Sequence, residues 1–305
     1  MIYIAPLFRF LMVTTIHQNL IRAGEIAREA VSYARTIVKK DMLLLELATK
    51  IEEKIYELGG KPAFPVNLSI NEVAAHATPA YTSDDRAYGL LKVDIGVHVA
   101  GAIADTAFSV DLENSDFNKN LIAAAEAGLH AATHLVKVGV TLAALGKAVD
   151  TTIRSRGMTT VVNLSGHAIE EYDVHAGVTI PNYDNGDTTR LDEGIYAIEP
   201  FATNGAGRVM DGKPSGIYQL MKEGNVRDSF ARIVLEFIAE EYRTLPFCSR
   251  WIHAKFGTRG LIALRFIEQA GLLHHYKQLI EAGKGIVAQA ENTFLVTREE
   301  TKQIT

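Results

Sequence analysis

Leu44, Leu47, Ile51, Ile55 and Leu58 recur every three or four residues, with polar or small residues filling most gaps. That spacing gives an apolar stripe and predicts a helix over 44–58, stopped by Gly59-Gly60. Upstream, Ile21, Ile26, Ala30 and Ala34 keep near-helical spacing and predict a helix over 19–40. The segment KPAFPVNLSINEVAAH, carrying Pro62 and Pro65, then reads as extended. The same order returns downstream. An Ala-rich run predicts a long helix over 115–138, capped by Ser115 or Asp116. A shorter helix over 142–156 repeats the first stripe: Leu142, Leu145, Val149 and Ile153 match Leu44, Leu47, Ile51 and Ile55 at an offset of 98, and Gly157 matches Gly59. VNLS occurs at 66–69 and again at 162–165. The chain therefore reads as a duplicated helix–helix–strand unit, an α/β fold of two related halves with a site expected between them.

Other stretches alternate with period two. In LKVDIGVHVAGAIADTAFSV, Val93, Ile95 and Val97 alternate with Asp94, Gly96 and His98, which is strand periodicity. A two-residue turn at 99–100 or 100–101 makes this a hairpin. GIYAIEPFAT and GIVAQAENTFLV (285–296) also read as strands. Between them the texture changes. A helix is predicted over 225–242, an aromatic stretch PFCSRWIHAKF follows, and a helix over 260–270 closes the segment. Residues 215–275 are thus expected to be an inserted helical subdomain, with 18–214 plus 276–305 forming the main domain.

Composition narrows the class. The chain has 305 residues, 48% hydrophobic and 22% charged, values ordinary for a globular protein with a substantial core. The net charge of −5 and the lack of a basic tract argue against DNA or other nucleic acid as a main partner. Cys248 is the single cysteine, which excludes an internal disulfide and a thiolate cluster and fits a cytoplasmic setting. Among large apolar neighbours it reads as a small buried hydrophobe. The start, MIYIAPLFRFLMVTTIHQ, is apolar but broken by Pro6 and Arg9, and is too short to span a bilayer. Residues 1–17 are read as a peripheral extension, of the kind an upstream start codon would add, with a cleaved signal peptide as the alternative. No membrane role is expected.

The hairpin carries the chemistry. Either turn puts Asp94 and Asp105 on one face, directly opposed or one diagonal step apart. Carboxylates that close either share a proton or hold a cation between them. The alternative is a solvated hairpin, but both acids sit in apolar strands, where an unpaired charge is costly. Glu199 follows an apolar strand, and Glu291 lies within one. His167 and His175, eight residues apart in NLSGHAIEEYDVHAG, are separated by polar EEYD. A reversal there brings both rings to one centre. Four carboxylates and one imidazole overfill a single tetrahedral ion; two ions sharing bridging carboxylates fit better. His130 and His134, in HAATH, lack the glutamate of a zinc-protease helix and read as a solvated face. His98 lies near the hairpin tip and stays outside the ligand set, and His274-His275 is given no role.

The order Asp94, Asp105, His167, Glu199, Glu291 resembles the metal set of methionine aminopeptidases. FPVNLSINEVAAH, DIGVHVAGAIADTA, NLSGH, HAG and AIEPF are similar to family segments, and the resemblance runs from about residue 18 to the end. It implies the pita-bread fold. The long spacing from Glu199 to Glu291 resembles the type 2 class, and the absence of a basic or zinc-finger extension resembles its archaeal form. The resemblance implies two divalent ions (Co, Mn, Fe or Zn), with Asp94 on the first, Asp105 and Glu291 bridging, and His167 and Glu199 on the second. It makes His76, His175 and Glu199 the catalytic groups, with His76 and His175 facing substrate. It makes Phe64, Phe201, Ile217 and Tyr276 the methionine pocket. The implied activity is co-translational removal of initiator methionine before a small second residue, on nascent N-termini near the ribosome, by a monomer. One departure stands out: where the family reads QFEHT, this chain has Gln289-Ala290-Glu291-Asn292-Thr293. The rivals are an Xaa-Pro dipeptidase or aminopeptidase P of the same fold, and a non-catalytic relative that binds RNA or protein.

Overall fold

The computed structural model describes the backbone from Ala5 and the side chains from His17 to the C-terminus. The expected extension at 1–17, His17 aside, lies outside the described side chains. The first half runs α1 (Ala5–Ile37), α2 (Leu44–Glu57), β1 (Lys61–Pro62), β2 (Asn67–Ile70), β3 (Val73–Ala75), β4 (Leu90–Val99) and β5 (Ala102–Asp111). The second half repeats the plan with α3 (Asp116–Thr133), α4 (Leu142–Ser155), β6 (Thr159–Thr160), β7 (Ser165–Ile169), β8 (Thr179–Pro181), β9 (Gly194–Ile198) and β10 (Phe201–Thr203). The rest is β11 (Val209–Leu220), α5 (Ser229–Glu241), β12 (Phe247–Cys248), α6 (Ser249–Gln269), β13 (Leu273–Glu281), β14 (Val287–Gln289), β15 (Asn292–Val296) and β16 (Thr301–Gln303).

Each half buries its helix stripe on an antiparallel sheet. Leu47, Ile51 and Ile55 of α2, with Ala23, Ile26 and Ala30 of α1, pack on Leu91, Val93, Ile95 and Val97 of β4. Leu145, Val149 and Ile153 of α4, with Leu121, Ala125 and Leu129 of α3, pack on Tyr196 and Ile198 of β9 and Phe294 of β15. Because β4 turns its odd residues to the helices, Lys92, Asp94, Gly96 and His98 face the other way, into the space between the halves. Thr141 and Ser115 start α4 and α3 by accepting from Ala144 N–H and Asn118 N–H.

Four elements differ from the sequence reading. The α3 helix ends at Thr133 rather than Val138, with His134 as its cap, and the chain then turns again at Gly139, φ +86°. The aromatic stretch from Ser249 is helical: α6 is one run bent at Gly257, whose φ of 63° and ψ of −160° no helix contains. The 285–296 strand is broken, and so is the strand through Glu199; Ala290–Glu291 and Glu199–Pro200 lie between paired segments. A third core joins α5 and α6 through Ala231, Val234, Ile238, Ile252, Leu264 and Ile267, beside the long β11–β13 ribbon.

Candidate metal centre

The hairpin turn is Ala100-Gly101, both at positive φ, closing Val99 against Ala102. Asp94 therefore pairs with Ala107 and Asp105 with Gly96, the diagonal arrangement. Ala107 also makes an antiparallel bridge to Glu291, whose N–H donates to the Ala107 carbonyl at 3.0 Å. That bridge joins the two halves and sets Glu291 beside the hairpin acids. Glu291 gains this freedom from the break in its own strand. Ile198 pairs with Asn292 and Phe201 with Gln289, one register on both sides of the break, so Glu199 faces Glu291 across the gap. His167 enters from β7, which pairs with β9 through Ala197.

The chain does reverse at EEYD. Glu170 and Asp173 form a tight bridge with Tyr172 at φ +58°, and the rings of His167 and His175 stand 4.5 Å apart. His167 Nε2 is 3.8 Å from Asp105 Oδ2 and from Glu199 Oε1. Ligand atoms of Asp105, His167 and Glu291 all lie within 4.8 Å of one another. All eleven residues proposed from sequence line one cavity of about 220 Å³: the four acids and the His167 imidazole together with Phe64, His76, His175, Phe201, Ile217 and Tyr276. Pro246, Leu279, Val174 and Asn67 line it too.

The electrostatics suit a cation. Burial pushes the Asp94 carboxyl up to about 7. Burial first, then the neighbouring acids, drives Asp105, Glu199 and Glu291 well above the ordinary carboxylate range. Among the described residues no lysine or arginine pairs with any of the four, and Asp94 Oδ1 and Asp105 Oδ1 are buried without a hydrogen-bond partner. Burial, reinforced by His175, lowers the His167 ring to about 3, so Nε2 offers a lone pair at neutral pH. Hard carboxylate oxygens with one imidazole make a donor set for a hard or borderline divalent ion. The residues present fit one.

Sequence reasoning missed the supports. Gln289 points its amide Nε2 at Asp94 Oδ2, Glu199 Oε2 and Glu291 Oε2, each at 3.4 Å. Its position two residues before Glu291 was the available signal. Thr293 fixes Asp105 by both backbone groups, accepting from its N–H and donating to its carbonyl, each at 2.8 Å. Lys92 Nζ, on the face of β4 that carries Asp94, is buried and donates to the carbonyls of Asn71 (2.7 Å) and Val287 (3.0 Å), and burial pushes its pKa well below the ordinary lysine range.

A further chain of contacts orders the pocket walls. His76 sits at φ +58°, a strained backbone for a non-glycine residue, with Tyr276 edge-on at 5.1 Å. The Tyr276 hydroxyl donates to Gln219 Oε1 (2.6 Å), and Gln219 Nε2 donates to the Thr244 carbonyl (2.8 Å). Thr244 Oγ1 in turn donates to the Tyr172 carbonyl, in the turn that leads to His175. One loop after α5 thereby touches both walls.

Two halves of one plan, meeting at four acids (Asp105 and Glu291 buried, Asp94 and Glu199 half-buried) and an imidazole, define a pita-bread metallopeptidase. Residues 18–298 match the model of metallopeptidase family M24, and the chain belongs to that family. It is 47% identical to a methionine aminopeptidase of Pyrococcus horikoshii, over 92% of this chain and 96% of that one. Two solved structures share the fold at low identity. A thermophilic Arx1 superposes with a TM-score of 0.81 at 10% identity, covering 95% of this chain and 90% of that one. A methionine aminopeptidase of Rickettsia prowazekii gives 0.69 at 19% identity, covering 96% and 97%.

Proposed function

We propose that this protein is a dinuclear metal-dependent aminopeptidase that removes N-terminal methionine ahead of a small second residue. The observation that carries the reading is the convergence of Asp94, Asp105, His167, Glu199 and Glu291 beneath a small apolar pocket. Those five side chains would hold two divalent ions, Co, Mn, Fe or Zn. When bound, such ions supply Lewis-acid polarisation of a carbonyl and acidification of water.

The residues of the chain supply the rest. Glu199, at the break after β9, would take a proton at its carboxylate and return it to the leaving amine. His76 is held down to about 4 by burial, so at neutral pH it is a neutral N–H donor rather than an acid. With His175 it would donate to the scissile amide and the oxyanion that develops on it, preorganised help of the kind that costs about 10²–10³-fold when removed. Phe64, Phe201, Ile217 and Tyr276 would enclose an unbranched thioether side chain. The substrate ammonium would meet the acid cluster, which restricts cleavage to the first residue. We read 215–275 as an inserted unit that supplies one wall of the pocket. The setting would be the cytoplasm, on nascent chains near the ribosome, and among the described residues no helix is long and apolar enough to cross a membrane.

Assaying the metal-loaded protein on Met-Ala-Ser beside Xaa-Pro dipeptides tests the reading. Free methionine from the first and nothing from the second is the expected result. Cleavage of Xaa-Pro alone overturns it in favour of a dipeptidase. A folded protein that binds no divalent ion would instead be a binding relative.

A further inference from the structure

His130 and His134 lie one turn apart on the last turns of α3, both exposed. The structure turns the two rings toward each other: centroids 4.3 Å apart, planes at 89°, and Nε2 atoms 3.1 Å apart. Two nitrogens each about 2.0–2.1 Å from one ion stand roughly 3.3 Å apart at the tetrahedral angle and roughly 2.9 Å apart at a right angle. The observed separation falls between the two, so an ion could be seated without a change of rotamer.

We propose that His130 and His134 form a second metal site, on the surface, for a borderline divalent cation such as Zn, Ni or Cu. An all-imidazole pair favours these over Mg or Ca, which take oxygen ligands. The place in the helix helps. His134 caps α3, its N–H bonded back to the His130 carbonyl at 3.3 Å, and the last-turn carbonyls carry the negative end of the helix dipole. The charged neighbours along the chain are Glu126, one turn before His130, and Lys137 beyond the helix end. They oppose one another and leave the field of the carbonyls in place. Binding requires both Nε2 lone pairs, so both rings must carry their proton on Nδ1. Two protein ligands leave the remaining positions to water, which makes the site open and exchangeable. It stands apart from the carboxylate centre in ligand type as well as in place, and holds whether or not the peptidase reading does.

The test uses the full chain, stripped of metal, beside H130A, H134A and the gentler H134Q. Each is dialysed against Ni²⁺ and separately against Zn²⁺, bound metal is counted, and imidazole nitrogen resonances are followed in the parent protein. Each variant is expected to bind one equivalent fewer than the parent, and the Nε2 signals of His130 and His134 are expected to shift together as metal is added. Equal counts in parent and variants, or ring signals that do not move, would leave the pair as a hydrogen bond between two imidazoles and overturn the proposal. A parent that binds a single equivalent, lost in every variant and accompanied by the ring shifts, supports the proposal while counting against the peptidase reading.

Discussion

His175 stands at the mouth of the cavity on a turn rather than a strand, yet its ring lies 4.5 Å from that of His167. In the oxyanion role proposed for it, His175 would act on the transition state more than on the bound peptide. Changing His175 to Ala is therefore expected to lower kcat on Met-Ala-Ser by about 10²–10³-fold with a small change in KM; unchanged turnover would remove it from the mechanism. The acids make a prediction of the opposite kind, about stability. In the metal-free protein Asp94 stays protonated up to about 7, whereas an unfolded aspartate releases its proton near 3.8. Between those values the folded chain binds more protons than the unfolded one, so stability falls as pH rises. Asp105, Glu199 and Glu291 add in the same direction. The depressed His76 and His167 rings act the other way over the same window, so the share of the acids is read from a difference: in chelator-treated protein the melting temperature of Asp94→Asn, relative to the parent, should increase from pH 4 to pH 7. A difference between the two proteins that stays constant over this window would show that Asp94 does not titrate as a buried acid. Metal loading should flatten the acids' share of the pH dependence, since the cation replaces the proton.

Helices and hairpin were legible because their periodicity is local. The stripe of α2 and its copy in α4 need only the 3.6-residue repeat, and the Asp94–Asp105 diagonal needs only a two-residue turn. The break at Glu199 has a local signal in Pro200, which cannot donate to a ladder; the break at Glu291 was not legible, since the apolar run continues through it and its partner is the distant bridge from Ala107. The start of α6 was hidden for a related reason, since its aromatic residues serve a contact made elsewhere. Arg250 and Trp251 reach from α6 to Glu52 of α2. Arg250 bonds both carboxylate oxygens at 2.6 and 2.9 Å, and Trp251 Nε1 donates at 2.9 Å. Glu52 also accepts from Val66 N–H (3.2 Å), at the entry to β2. Removing one partner strands a buried charge, so Arg250→Ala is expected to lower unfolding stability by about 3–5 kcal/mol in urea titrations. Adding Glu52→Gln should recover part of that loss; an additive double variant would mean the two side chains do not act as a pair. The relay through Thr244, Gln219 and Tyr276 predicts a kinetic effect instead. Gln219→Leu should raise KM for Met-Ala-Ser more than it lowers kcat, because it frees a pocket wall and leaves the carboxylates untouched. A fall in kcat alone would contradict this.

The duplication read from the 98-residue offset has its consequence at the largest scale. Asp94 and Asp105 belong to the first half, His167 and Glu199 to the second, and Glu291 returns from the far side of the helical unit to bridge to β5. A ligand set divided in this way makes metal binding a bond between halves that otherwise bury separate cores. Binding to the folded state alone stabilises it by about 2.7 kcal/mol when free metal is a hundred times its dissociation constant. That stabilisation should be spread by the covalent connections of the ligands rather than confined to the cavity. Hydrogen exchange, compared between chelator-treated and metal-loaded protein, should therefore slow on both sides of the seam: β4 and β5 in the first half, β7, β9 and β15 in the second. The α5–α6 unit contributes no ligand, and its amides should change least, since they open by a separate local route. Protection limited to one half would mean that the ions are held by that half's acids alone, and the shared centre would have to be given up.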